Sequence, residues 1–119
     1  MSNTLELLQD AALVLTQAGT VKDRLVSAYT NHLSYIDALH LPDKYRDDFE
    51  AMCEAMHREP PLPRENPVRA SIRKMSNSEA NDYAALVVRI YGAVARAGLM
   101  SLPRTPVLAP IVQLFAADG

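Results

Sequence analysis

The chain has 119 residues, room for one domain around a single core, and 49% of them are apolar, which excludes disorder for the main body. Its formal charge of −2 lacks the basic excess of a dedicated nucleic-acid binder. Cys53 is the one cysteine, so an intrachain disulfide is excluded as well.

A helical pattern opens after Ser2 or Asn3, either of which can cap it, and runs to about Leu39. Leu8, Ala11, Leu15, Ala18, Leu25, Tyr29, Ile36 and Leu39 recur at steps of three and four, with Lys22 and His32 interrupting. That spacing keeps one face of a helix turned toward a partner helix, as in a bundle or a coiled-coil seam. Gly19-Thr20 is the weak point. Glycine costs about 1 kcal/mol in a helix interior, and Thr20 with Asp23 resembles an N-terminal cap. The segment is therefore one long helix or two shorter ones meeting at Gly19. A continuous helix would be a rod of roughly 55 Å, longer than the roughly 35 Å width of a globule of this size. The expectation is a long or kinked helix covered by a second copy of the chain.

Leu41-Pro42-Asp43 stops this pattern and starts the next, because proline is preorganised for a first helical turn. Tyr45, Phe49, Met52, Cys53 and Met56 mark the apolar face of a helix reaching about Arg58. Asp43, Asp47, Glu50 and Glu54 form an acidic stripe on another face. Residues 59–66 contain three prolines and read as an extended crossover. Asn66-Pro67 then caps a short helix through Val68, Ile72 and Met75. Ser76-Asn77-Ser78-Glu79 is a capping box, opening a last long helix with Ala80, Tyr83, Ala84, Val87, Ile90, Tyr91 and Val94 inward and Gly98 at its end. Residues 1–98 thus form a helical domain, all-α in class. Residues 99–119 form an apolar tail punctuated by Pro103, Pro106 and Pro110. An apolar tail left in water invites aggregation, so it is expected to dock on its own body or on a neighbour.

The halves differ in charge. Residues 1–60 carry five Lys/Arg against ten Asp/Glu, and residues 61–119 carry seven against four. The simpler reading is that the halves complement each other, with Arg69 and Arg73 facing the acidic stripe. The sharper one is an anion-binding surface formed by Arg64, Arg69, Arg73 and Lys74. A short helix, a turn and a longer helix also outline a helix-turn-helix, but Glu79 and Asp82 would meet phosphates at the wrong end.

Catalytic and metal signals are thin. Cys53 and His57 stand four apart, yet zinc takes about three or four protein ligands, and His32 and His40 have no sequence link to the pair. A nucleophile–base reading of the same two residues lacks an oxyanion-hole signature. The four glycines are scattered, so no phosphate loop is present. No catalytic residue, metal or cofactor is expected, and the chain is read as a non-enzyme.

The runs Leu41-Pro42-Asp43-Lys44-Tyr45-Arg46-Asp47-Asp48-Phe49-Glu50 and Ile72-Arg73-Lys74-Met75-Ser76-Asn77-Ser78-Glu79-Ala80 resemble small all-helical proteobacterial proteins of unknown function. The resemblance spans about half the chain and implies a bacterial, cytoplasmic, helical protein with no activity or site carried over. A cytoplasmic location also fits Glu6 and Asp10, which interrupt any leader-like apolar stretch, and the lack of a run near ~18 apolar residues. The functional expectation is a protein-interaction or regulatory module acting as a homodimer through Leu8, Leu15, Leu25, Tyr29, Ile36, Ile111, Leu114 and Phe115. The alternative is a nucleic-acid-linked regulator using the basic cluster.

Overall fold

In the computed structural model, which describes residues 3–100, the described residues form helices joined by turns and a crossover, with no strand among them. Helix α1 spans Thr4–Val14 and is capped by Asn3, whose side chain accepts from the Glu6 amide at 2.7 Å. Helix α2 spans Val21–Asn31 and is capped by Thr20, which accepts from the Asp23 amide at 3.1 Å. Two 3-10 turns, Leu33–Tyr35 and Ala38–His40, lead to α3 at Asp43–Ala55. After the crossover come α4 at Pro67–Lys74 and α5 at Asn77–Met100.

The single long N-terminal helix does not form. Gly19 takes φ +111°, a conformation open to glycine and costly for residues with a Cβ. Arg24 fastens this link from the other side, donating to the Leu15 and Thr20 carbonyls. The interruption lets α1 and α2 pack on each other, and both also pack on α5. Leu8, Leu15, Leu25, Tyr29 and Ile36 are accordingly buried within one chain. Their apolar area is removed from water by α1, α2 and α5 together, so these residues are internal core and not an exposed seam awaiting a second copy. The pattern also ends earlier than expected, at Asn31, and Leu39 stands 71% exposed on the second 3-10 turn.

Helix α2 is the centre of the fold, touching α1, α4, α5 and the first 3-10 turn. Helix α3 lies against the second 3-10 turn and α5, burying Phe49, Met52 and Met56, with Tyr45 and Cys53 half-buried. It stops at Ala55, short of Arg58. Helix α5 runs past Gly98 to Met100, and Gly98 is not among the residues at positive φ, so it does not form the left-handed cap that would end the helix there. The tail beyond it, with Ile111, Leu114 and Phe115, lies outside the described residues.

Candidate anion-binding groove

Two short stretches build the groove. Asn66 caps α4 by accepting from the Arg69 amide at 2.8 Å, and Pro67 occupies the first turn. Val68 and Ile72 then turn inward, while Arg69 and Arg73, one helical turn apart, share the exposed face. Opposite them stands the first turn of α2. Thr20, Lys22, Asp23 and Val26 from that side meet Glu65, Arg69, Ile72 and Arg73 around an open cleft of about 450 Å³.

The cations are held in different ways. The Lys22 ammonium donates to the Arg73 carbonyl at 3.1 Å. That carbonyl is among the last of α4, which has no later amide to serve it, so a lysine there answers both the lone pair and the negative helix end. The Arg73 guanidinium grips Glu65 with two donors, Nε at 2.8 Å and Nη2 at 3.0 Å. Glu65 Oε1 also accepts from the Leu62 amide at 2.9 Å. Arg73 first, and the Leu62 amide next, hold the Glu65 carboxyl far below the usual carboxylate range, at about 2. Arg69 makes no side-chain hydrogen bond to any described residue, and its contribution is the field it adds at Glu65.

Lys74 is drawn off to Glu59 at 3.5 Å, and the Glu59 amide donates to the buried Ser71 hydroxyl at 3.0 Å. Arg64 sits in the crossover at φ +67°, following Pro63 in a turn closed by the Glu65 amide donating to the Leu62 carbonyl at 3.0 Å. Of the four basic residues singled out in the sequence, then, Arg69 and Arg73 line the cleft and Lys74 pairs elsewhere. The expected contact between Arg69 or Arg73 and the acidic stripe is not made. The crossover supplies the carboxylates instead, leaving Asp47, Glu50 and Glu54 exposed on α3. Lys22 was not among the candidates. Its signal was a cation breaking an apolar seam in the first turn of a helix, where the macrodipole disfavours positive charge.

A second cluster joins α2 to the end of α3. The Tyr29 hydroxyl lies 3.2 Å from His57 Nε2, with the rings edge to face at 5.8 Å between centroids. Burial, with Cys53 beside it, pushes the Tyr29 phenol up to about 12. Burial also pushes the Cys53 thiol up, which disfavours the thiolate a nucleophile or metal ligand needs. Among the described residues no group of three or more His, Cys, Asp or Glu is gathered for a metal ion. No helix there is long and apolar enough to cross a membrane.

The capping box forms by half. Ser76 Oγ accepts from the Glu79 amide at 3.0 Å. The Glu79 carboxylate does not turn back to the Ser76 amide; it takes Arg58 at 3.1 Å and the Tyr83 hydroxyl at 3.4 Å. Glu79 thereby clips the end of α3 to the start of α5. In comparisons with known proteins, no family model, no curated protein and no solved structure matches this chain.

Proposed function

We propose that the protein is a non-enzymatic interaction or regulatory module that acts as a homo-oligomer in a bacterial cytoplasm. The observation that carries this reading is the exposure of Tyr35 (72%) and Leu39 (71%) on successive 3-10 turns. Thr4 Oγ1 lies 3.4 Å from His40 Nδ1, which brings the start of α1, with exposed Leu5, beside the second of those turns. Large apolar groups exposed close together in the chain, on two successive turns, fit a contact surface. The surface keeps only Leu39 of the apolar seam, since Leu8, Leu15, Leu25, Tyr29 and Ile36 are used up internally.

Sedimentation at micromolar concentration tests the reading. The wild type should sediment as a dimer or larger, and Tyr35→Ser with Leu39→Ser should give a monomer of unchanged helicity. A wild-type monomer would defeat it.

The nucleic-acid alternative keeps one observation in its favour: Arg69, whose side chain makes no hydrogen bond among the described residues, lines the same cleft as Lys22. Ion pairing of Arg73 and Lys74 with Glu65 and Glu59 counts against it, because those cations no longer offer full charge to a phosphate backbone. Steeply salt-dependent, submicromolar binding to DNA or RNA would restore it.

A further inference from the structure

We infer that the cleft between the first turn of α2 and α4 binds a small organic phosphate, with Lys22 and Arg69 as the principal ligands and Arg73 beside them. The balance of donors and acceptors points this way. Lys22 spends one ammonium N–H on the Arg73 carbonyl and keeps two. Arg73 spends Nε and one Nη2 proton on Glu65, which leaves its Nη1 group and the second Nη2 proton. The guanidinium of Arg69 is wholly unspent among the described residues. On the acceptor side, both Glu65 oxygens are already engaged. The Asp23 carboxylate and one lone pair of Glu65 Oε2 remain as charged acceptors of the lining, and the unspent N–H groups outnumber them.

A ligand that completes this set carries several acceptor oxygens on one centre. Arginine matches two of them at once through its planar fork, and lysine adds a compact charge from the facing helix. Charge sets the size of the ligand. Lys22, Arg69 and Arg73 against Asp23 and Glu65 leave an excess of one positive charge around the cleft. That suits a single phosphate group better than a polyanion, which would extend past the two carboxylates.

The floor adds a second element of recognition. Val26, 8% exposed, offers a narrow strip of apolar surface beneath the rim, and Ile72, 1% exposed, backs it from the core. The opening of about 450 Å³ falls within the roughly 300–1,000 Å³ of small-molecule sites. A phosphomonoester with an apolar body uses both features, whereas inorganic phosphate uses the rim alone.

The test is an amide-resolved NMR titration of the full chain at constant ionic strength, with phenyl phosphate, inorganic phosphate and a single-stranded oligonucleotide as probes. Phenyl phosphate should bind saturably, moving the amides of Lys22, Val26 and Arg73, and more tightly than inorganic phosphate. Arg69→Gln should lower that affinity by about tenfold with little change in melting temperature, since the Arg69 side chain makes no hydrogen bond among the described residues and its field is the least of the influences on Glu65. Shifts that never saturate, or that are the same in Arg69→Gln, overturn the proposal. Tighter binding of the oligonucleotide than of phenyl phosphate also overturns it, in favour of the nucleic-acid reading.

Discussion

One chemical change, glycine to alanine, should act with opposite sign at two positions of this chain. A Cβ added at Gly19 or at Gly98 meets nothing within 4 Å, so neither substitution creates a clash and the backbone alone decides. At Gly19 the backbone stands at φ +111°. An L-residue held in such a sparsely populated region costs about 1–3 kcal/mol. Alanine returns about 0.4–1 kcal/mol by narrowing the unfolded ensemble. Gly19→Ala should therefore lose about 1–2 kcal/mol. At Gly98 the backbone is helical, and alanine gains at most about 0.5–1 kcal/mol, less because the last turn of a helix is only partly formed. Urea unfolding followed by circular dichroism measures both. With a slope of about 1–2 kcal/mol per molar, Gly19→Ala should lower the midpoint by about 1 M, while Gly98→Ala leaves it level or slightly raised. A Gly19→Ala variant as stable as the wild type would mean that the link between α1 and α2 does not need the left-handed backbone.

Ser76→Ala should cost about 1 kcal/mol, the worth of a side-chain cap. Glu79→Gln should cost about 0.5 kcal/mol by weakening the exposed pair with Arg58. Because Glu79 serves Arg58 and Tyr83 and not the Ser76 amide, the double variant should lose the sum of the two, and strong sub-additivity in denaturation would indicate a reciprocal box. Acid titration of stability should show the Glu65 carboxyl: its folded-state value of about 2 lies below the ordinary 4.5, so its contribution is complete above pH 4.5 and is lost as pH falls toward 2. Glu65→Gln should flatten that part of the profile, and an unchanged profile would refute the assignment.

Signals confined to a few residues were legible in the sequence, and choices of partner were not. Thr20, Asn66 and Ser76 each accept the amide three residues on, as their local spacing implies, because a cap is decided by the helix it begins. The apolar seam marked Leu8, Ala11, Leu15, Leu25, Tyr29 and Ile36, which are buried, and Ala18 and Leu39, which are exposed, and it left open what does the burying. Helical periodicity gives a face, while the conformation of Gly19 gives the direction of the next helix, and glycine tolerates many. The basic groove was half visible for a related reason. Arg69 and Arg73 lie one turn apart on α4 and could be read together. Lys22 arrives from a helix some fifty positions earlier, on the order of a span that no local pattern bridges. The crossover looked like a spacer, yet its Glu59 and Glu65 decide which cations of α4 stay available.

The packing of α1 on α5 carries a cost in time. These two helices make the broadest helix–helix contact of the fold, yet a stretch on the order of sixty residues separates them in the chain. On a ribosome, α1 emerges well before α5 has been synthesised. Until α5 follows, α2 and the first 3-10 turn are what can shield it, and the helical hairpin around Gly19 becomes the temporary shelter of a face whose final cover arrives last. Folding that ends on such a distant contact is slow to complete compared with a bundle of purely neighbouring helices, and the exposed interval is the moment at which this chain is most open to a chaperone or to a second nascent copy.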